Sequence, residues 1–283
     1  MASLCIKTCS TIAITTLALS STLASAEKYS NDVWNKIIKS GTITVGVKAD
    51  TKPWGYLSPD GKLIGMEADM AQDVADKMGV KLELVGVQSS NRMQFLEQGK
   101  IDLMIATMSD RADRRKLVGV ALPNYYSSGT NVLAPKALKF KNWSDLKGRD
   151  VCGKQGAFYN KVIEERYGAK VVAFTGNAEA KQALRDKKCV AWVYDDSVIA
   201  ADLASGSYDD YEMPFKTEDD NPWALAVPIA EQQSIFGQFM SGIQYNWHES
   251  GTLLKLEAKW GIKPSTYLLT QNKRFSDWLP EKK

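Results

Sequence analysis

The residues with the most evident chemistry lie in one short stretch, residues 101–115. An apolar run of strand length, residues 103–106, leads to the hydroxyls of Thr107 and Ser109, and Asp110 then suits a helix N-cap. The stretch ends with three arginines, Arg111, Arg114 and Arg115. A strand that brings hydroxyls, helix amides and guanidinium groups to one place can bind an anion such as a carboxylate.

The same arginines have an ordinary structural explanation. Asp110 and Arg114 are four residues apart, so they can pair on the exposed face of a helix. Arg111, Arg114 and Arg115 would then form a solvated surface. The stretch by itself leaves both interpretations open.

The hydrophobic pattern predicts the elements that must position these side chains. Alternating residues 42–47 and 80–84 predict strands, and a stripe at four-residue spacing predicts a helix packed on the core and ended by Gly79. The stripe is Met66, Met70, Val74 and Met78. With the run at 103–106, this β-α-β-α-β order predicts a parallel sheet covered by helices.

A second α/β series follows residue 135, and residues 221–227 predict a second extended crossing. No low-complexity linker separates the two series. We therefore expect two lobes that exchange two segments of chain.

Composition and charge exclude several classes of function. The formal net charge is +3, and a near-neutral chain gives no reason to expect nucleic acid or an anionic membrane as a partner. His248 is the only histidine, which argues against a His-based metal site or catalytic triad. We expect neither a metal nor a cofactor.

Residues 1–26 have the pattern of a cleaved secretory signal peptide. Lys7 is the positive charge, residues 12–23 are the apolar segment, and Ala24-Ser25-Ala26 is the cleavage motif. No equally long apolar run follows, so no transmembrane helix is expected. Beyond the leader only Cys152 and Cys189 remain, and an exported chain with two cysteines suggests one disulfide, with buried free thiols as the alternative.

Several further segments complete a pattern that runs through nearly the whole mature chain. Besides the 101–115 stretch they are Gly41-Thr-Ile-Thr-Val-Gly46, Gly61-Lys-Leu-Ile-Gly-Met-Glu-Ala-Asp69, Gly99-Lys-Ile-Asp102, Val190-Ala-Trp-Val-Tyr-Asp195, Ser250-Gly-Thr252 and Lys259-Trp-Gly261. In this order and spacing the sequence resembles the periplasmic solute-binding proteins of ABC importers for polar amino acids, closest in its pocket to the glutamate/aspartate-binding members.

The resemblance implies an α/β fold of the two-lobe periplasmic binding protein type (type II). Each lobe would be a parallel sheet covered by helices, with two hinge crossings and the ligand in the cleft. Lobe 1 would span residues 27–130 plus 228–283, and lobe 2 residues 131–227. It also implies a monomer in the periplasm whose partner is an ABC permease in the inner membrane. Cys152 and Cys189 would begin neighbouring lobe-2 strands in a 2-1-3 order, which makes their disulfide plausible.

In the family, the arginine at the position of Arg114 binds the α-carboxylate of the ligand, and a planar guanidinium suits a carboxylate. Thr107 and Ser109 match positions that contact the same carboxylate, with strand-end capping as their structural alternative. Asp195 matches the lobe-2 aspartate that receives the α-ammonium group. Its structural alternative is an N-cap at Asp195 or Asp196.

The resemblance also indicates the ligand side chain. Family members that bind glutamate and aspartate carry basic residues at the positions of Lys48 and Arg92, and two extra cations would compensate a second buried carboxylate. The alternative is that both are surface charges. Ser89 could add a hydroxyl, and Trp54 is expected as a wall of the cleft.

One segment departs from the family pattern. After Gly156 the family usually has paired threonines, whereas this chain has Ala157-Phe158. The hydroxyl is lost, and Phe158 could narrow the pocket or stack over a ligand. This departure leaves room for another polar amino acid or an amino acid derivative.

Two other functions compete with amino acid binding and transport. Dehydratases of the prephenate type share the fold, but they need a carboxylic acid over the substrate, and no dedicated candidate is evident. A receptor's sensing domain is disfavoured because the sequence has no membrane span after the binding region. We therefore expect a binding protein and not an enzyme.

Overall fold

The computed structural model describes residues 31–277, so the expected signal peptide lies outside the described residues. The strands are β1 Thr42–Lys48, β2 Asp50–Thr51, β3 Gly55–Leu57, β4 Leu63–Ile64, β5 Lys81–Val87, β6 Leu103–Ser109, β7 Gly119–Pro135, β8 Asp150–Lys154, β9 Lys170–Phe174, β10 Ala191–Asp195, β11 Tyr211–Glu212 and β12 Glu218–Val227. The α-helices are α1 Asp32–Ser40, α2 Met66–Met78, α3 Arg92–Glu97, α4 Tyr159–Tyr167, α5 Asn177–Arg185, α6 Asp196–Ala204, α7 Ile235–Glu249, α8 Thr252–Lys259 and α9 Thr266–Ser276.

Lobe 1 is built on the parallel strands β5, β1 and β6. β12 pairs antiparallel with β6, and β7 pairs antiparallel with β12. Successive residues of β6 point to opposite faces, so Ile105 joins the apolar cluster under α2 while Met104 joins a second cluster on the other face. The predicted stripe of α2 packs in the core, where Met70 and Val74 are fully buried. Gly79 ends this helix in the left-handed conformation, as predicted.

Lobe 2 has the strand order β9-β8-β10, all parallel, followed by β7 running antiparallel. Numbered within the lobe, this is the expected 2-1-3 order. Cys152 on β8 and Cys189 just before β10 form the predicted disulfide, with Cα atoms 5.6 Å apart. That separation lies in the usual range for disulfides.

Two long strands, β7 and β12, connect the lobes and pair with each other, for example Ser127 opposite Pro222. In β7, the crossing comes before Thr130, which pairs with Asp195 of lobe 2. In β12, residues 223–226 pair with β6 of lobe 1. Residues 223–226 of β12 are therefore part of the sheet that contains β5, β1 and β6.

The helix expected to begin at Asp110 is replaced by a short 3-10 turn, Arg114–Lys116. Asp110 does not cap a helix: its carboxylate accepts hydrogen bonds from Arg115 at 2.5 Å and from Asn124 at 3.0 Å. The Asp110–Arg114 pair of the structural alternative does not form, and Asp110 pairs with Arg115 instead. Arg114 and Arg115 therefore extend from a 3-10 turn and not from a regular α-helix. The α-helix N-terminus expected to bind an anion here does not form.

None of the helices within residues 31–277 combines the length and hydropathy that a membrane span requires. The same residues contain no group of three or more histidine, cysteine or carboxylate side chains that could hold a metal ion.

Candidate ligand-binding site

A cavity between the lobes collects most of the residues singled out in the sequence. It lies at the carboxyl ends of strands from both lobes, where open α/β folds bind ligands. Its lining is Ser89, Arg92, Thr107, Ser109, Arg114, Ala157, Phe158, Tyr159 and Asp195. Lobe 1 provides the first five residues and lobe 2 the last four.

Larger cavities lie outside this cleft. One of about 310 Å³, beside the crossing strands, is lined by Asp196 and Asp220. Their carboxylates already accept hydrogen bonds from Ser128 and Ser127. The interlobe cavity, of about 10 Å³ in this closed arrangement, is far smaller, but charged side chains of both lobes line it.

Arg114 is buried at the start of the 3-10 turn that follows β6. Its Nη1 donates to the carbonyl of Ser109 at 3.1 Å, and its Nη2 donates to the carbonyl of Gly156 in lobe 2 at 3.3 Å. Burial, with a contribution from the nearby Arg92, lowers the pKa of Arg114 to about 9. The guanidinium therefore remains charged at neutral pH and has further N–H donors for a ligand.

Thr107 has an unusual backbone, with φ at 45°, in the left-handed region that β-branched residues rarely adopt. Its N–H donates to Glu67 Oε1 at 2.7 Å and to the hydroxyl of Tyr125 at 2.9 Å. Tyr125 in turn donates to the same Glu67 oxygen at 2.9 Å. These contacts hold Thr107 in the conformation that presents it to the cavity.

Glu67 was missed in the sequence, although a signal was present. It precedes Met70 by three residues and Val74 by seven, so it lies on the buried face of α2. Burial raises the pKa of Glu67 to about 7, and hydrogen bonds from Tyr125 and from the backbone of Lys48 and Thr107 oppose that rise. An acidic residue on the apolar face of a helix indicates a buried carboxyl group with hydrogen-bonding partners.

Arg92 and Asp195 face each other from the two lobes, and both are buried. Arg92 Nη1 donates to the carbonyls of Ala106 and of Thr107, the latter at 3.0 Å. Its buried Nε has no acceptor within residues 31–277. Burial raises the pKa of Asp195 to about 7, and the positive charge of Arg92 opposes that rise.

The helix-capping alternative for Asp195 and Asp196 is not what the structure shows. Asp195 occupies the N-cap position of α6, but its side chain makes no capping hydrogen bond. Asp196 instead accepts from the hydroxyl of Ser128 at 2.7 Å and from the N–H of Gly129 at 3.0 Å. The Asp195 carboxylate is thus free of a capping role.

Lys48 lies one layer behind the cavity and does not line it. Its ammonium group is fully buried, donates to Ser89 Oγ at 3.0 Å and lies 3.4 Å from Asp50 Oδ1. The surface-charge alternative is wrong for Lys48 and Arg92, since both side chains are buried.

Trp54 is placed elsewhere than the predicted cleft wall. It is fully buried, outside the cavity lining, and packs edge-on against Tyr126 of β7 and Trp223 of β12. The ring therefore supports the crossing strands and does not face the ligand cavity. Sequence periodicity does not distinguish an aromatic ring that packs on the crossing strands from one that lines the cleft.

Phe158 lines the cavity from lobe 2, and the guanidinium of Arg111 lies 4.5 Å from the centre of its ring. Arg111, expected on the surface, therefore contacts the other lobe across the cleft. Arg115 does remain on the surface, paired with Asp110. Gly156, with φ at 78°, passes so close to the backbone of Ser89 that a Cβ atom would lie 2.6 Å from its carbonyl oxygen.

Residues 43–263 match the model of the bacterial extracellular solute-binding proteins, family 3. The chain belongs to this family. This solute-binding protein is 23% identical over 270 residues to the glutamate/aspartate import solute-binding protein of Salmonella typhimurium, covering 90% of this chain and 88% of that one. It is 29% identical over 208 residues to a glutamine-binding protein of an ABC transporter from Bacillus subtilis, covering 71% and 75%.

The crystal structure of a solute receptor for L-cysteine from Neisseria gonorrhoeae superposes with a TM-score of 0.75 at 24% identity, covering 83% of this chain and 97% of that one. Together with the strand order and the two crossings, this similarity identifies the two-lobe periplasmic binding protein fold. The predicted fold class is confirmed.

Proposed function

We propose that this solute-binding protein captures an acidic L-amino acid, glutamate or aspartate, and delivers it to an ABC permease in the inner membrane. The observation that carries the proposal is the charge of the cavity. Two buried guanidinium groups, Arg92 and Arg114, stand there against one carboxylate, Asp195. Because buried charge is costly without a partner, this cavity suits a ligand with one more negative than positive charge.

Arg114 and Asp195 are assigned to the part that all amino acids share. The α-carboxylate would accept hydrogen bonds from Arg114, with Thr107 and Ser109 beside it, and the α-ammonium would donate to Asp195. Each charge-assisted hydrogen bond contributes about 1.5–3 kcal/mol. Support comes from the burial of both charged groups on opposite walls of the cavity.

Arg92 and Ser89 are assigned to the acidic side chain of the ligand, with Lys48 behind Ser89. The buried Nε–H of Arg92 lacks an acceptor among the described residues, and a carboxylate is the acceptor that best matches a guanidinium. The Salmonella typhimurium relative, named for glutamate and aspartate, agrees with this assignment.

A neutral polar amino acid is the second candidate. The relative from Bacillus subtilis is named for glutamine, and Ala157 and Phe158 give lobe 2 a less polar wall than the family's threonines. A glutamine amide could accept from Arg92, but it would leave the second guanidinium charge uncompensated. The acidic ligand is therefore preferred.

Delivery would follow the usual logic of a two-lobe binding protein. A ligand that contacts both lobes favours the closed arrangement, since it binds that state more tightly than the open one. We propose that the mature protein works in the periplasm as a monomer after removal of residues 1–26. Asp195 has a ligand-binding and not a catalytic role in this proposal, and turnover of prephenate would contradict it.

Thermal unfolding with the twenty amino acids and several organic acids tests the ligand class. A ligand at a hundred times its Kd stabilises the folded protein by about 2.7 kcal/mol, which is visible as a rise in Tm. We expect the largest rise with L-glutamate or L-aspartate. A largest rise with lysine, arginine or histidine would overturn the acidic ligand.

Arg114→Ala tests the anchor, and Arg115→Ala is its matched control. Both changes remove one arginine from the same turn, but Arg115 is partly exposed and paired with Asp110. We expect Arg114→Ala to weaken amino acid binding by at least about a hundredfold, the loss of two charge-assisted hydrogen bonds, and Arg115→Ala to leave it nearly unchanged. Near-normal affinity of a folded Arg114→Ala protein would show that the anchor lies elsewhere.

A further inference from the structure

A buried lysine of lobe 2 joins a charged pair of lobe 1 next to the ligand cavity. Lys154, the last residue of β8, is fully buried. Its ammonium donates to the carboxylate of Asp50, which belongs to β2 of lobe 1. Lys48 lies 3.4 Å from the other oxygen of the same carboxylate. Two ammonium groups from different lobes thus share one carboxylate.

Asp50 is held in this position from both sides of the cleft. The N–H of Asn177, at the start of α5 in lobe 2, donates to Asp50 Oδ2 at 3.0 Å. Burial opposes ionisation of Asp50, but Lys48 and Lys154 outweigh burial and lower its pKa to about 2. The cluster therefore contains one fixed negative charge, and it forms only when the two lobes are in contact.

The cluster reaches the ligand cavity through one side chain. Lys48 donates to Ser89 Oγ at 3.0 Å, and Ser89 lines the cavity. When both lysines carry their protons, the cluster has one more positive than negative charge. That charge lies directly behind the wall assigned above to the ligand side chain.

We propose that Lys154 is a positioning residue for specificity, acting through Asp50 and Lys48 to favour ligands with an anionic side chain. The inference rests on the proposed function and deepens it. When Lys154 is protonated, which an anionic ligand side chain favours, Asp50 is shared between two ammonium groups. Lys48 is then less fully neutralised, and its charge lies beside Ser89. Because Lys154 arrives only with lobe 2, this preference exists in the closed state, which is where a ligand must act to shift the equilibrium.

The protonation of Lys154 gives the proposal a second signature. Burial and the charge of Lys48 lower the pKa of Lys154 to about 6, against the opposing effect of Asp50. An anionic ligand side chain favours the ammonium form, so its binding takes up a proton above this pKa. The titratable groups near the cluster are the carboxyls of Glu67 and Asp195, which both interact with the charge of Lys48, and the Tyr194 hydroxyl of β10, whose pKa lies above its ordinary value because of burial. The neutral groups on Asp50 are the Thr51 hydroxyl, which donates to it at 3.2 Å, and the N–H of Asn177.

The test is a calorimetric titration of L-glutamate and L-glutamine into the mature protein and three variants. Lys154→Met removes the charge, Lys154→Arg keeps it, and Lys181→Met is the matched control, since Lys181 is a partly buried lobe-2 lysine paired with Asp202 of its own lobe. We expect Lys154→Met to reduce the preference for glutamate over glutamine by about tenfold or more. Lys154→Arg should restore most of it, and Lys181→Met should leave it unchanged.

Titrations at about pH 8 in buffers of different ionisation enthalpy report the proton. Wild type should take up a proton with L-glutamate and much less with L-glutamine, and this measurement needs no variant to fold. Absence of uptake, or an unchanged preference in Lys154→Met, would overturn the role of Lys154 while leaving the acidic ligand intact. A wild type that binds glutamine as tightly as glutamate would overturn both.

Discussion

At the scale of single residues, burial dominates the ionisation of the cavity. Burial raises the pKa of Asp195 to about 7 in spite of Arg92, and it lowers the pKa of Arg114 to about 9 together with Arg92. In the proposed binding mode, an amino acid brings an ammonium group to Asp195 and a carboxylate to Arg114. Ligand binding and protonation are therefore linked through Asp195.

This linkage predicts a pH dependence of affinity. Below pH 7, Asp195 is largely protonated in the free protein and must lose its proton to receive an ammonium group. From about pH 5 to pH 6, affinity for L-glutamate should rise about fivefold, because loss of the Asp195 proton outweighs the partial loss of the Lys154 proton. Titration calorimetry at a series of pH values measures this affinity.

Two variants identify the group responsible. Asp195→Asn should bind more weakly and lose the rise with pH. Glu67→Gln removes the other buried carboxyl with a pKa near 7 and should keep the rise, because Glu67 does not line the cavity. A rise that persists in Asp195→Asn would show that another group titrates on binding.

At the scale of elements, Glu67 ties α2 to three strands. It accepts from the backbone of Lys48 in β1 at 3.2 Å, from Thr107 in β6 and from Tyr125 in β7. The ordinary pKa of a glutamate is 4.5, and here burial raises it to about 7. The folded state therefore binds this proton more tightly than the unfolded state does.

That difference predicts how stability changes with pH. The contribution of Glu67 is fully present below pH 4.5, is lost as pH rises to about 7, and is constant above. Glu67→Gln should flatten part of this fall in the free energy of unfolding, measured with urea at the two ends of the window. Asp76→Asn, an exposed change on the same helix, should not. An equal fall in Glu67→Gln and wild type would contradict the assignment.

Periodicity predicted the elements because burial repeats along them. α2 and β1 could be predicted because one face of each is apolar, and the two crossing strands because they are apolar on both faces. The resemblance, in contrast, placed Arg114 and Asp195 after strands whose ends meet at the cleft. The prediction of a helix beginning at Asp110 was wrong because the Asp110 carboxylate accepts hydrogen bonds from Arg115 and Asn124. Such tertiary partners override a local capping preference.

The contacts between the two lobes could not be predicted from the sequence for a different reason. Lys154 and Asp50 are 104 residues apart, and each alone resembles an ordinary charged residue at a strand end. Their burial depends on how two lobes meet, which neither strand encodes separately. The same is true of Arg111, whose contact with Phe158 exists only across the cleft.

At the scale of the whole molecule, the lobes meet on two sides of the cavity. On one side Lys154 and Asn177 contact Asp50. On the other, Arg114 donates to the carbonyl of Gly156 and Arg111 lies over the ring of Phe158. Since each of these contacts joins one lobe to the other, they stabilise the closed arrangement relative to an open one and should slow ligand release.

Arg111→Gln tests this with kinetics. The cation–π contact with Phe158 contributes about 0.5–2 kcal/mol, and it forms after the ligand has entered the cleft. We expect the dissociation rate of L-glutamate to rise about twofold to thirtyfold while the association rate is unchanged relative to Arg115→Gln. Stopped-flow measurements of tryptophan fluorescence give both rates.

Arg115→Gln is the matched control because it removes the same charge four residues further along the same segment, and Arg115 is paired with Asp110 of its own lobe. Any loss of electrostatic attraction for an anionic ligand is therefore common to both variants and cancels in the comparison. If Arg111→Gln slowed association and left dissociation unchanged, the contact with Phe158 would act on ligand entry and not on closure. The dissociation rate is thus the quantity that shows whether Arg111 stabilises the closed arrangement of the two lobes.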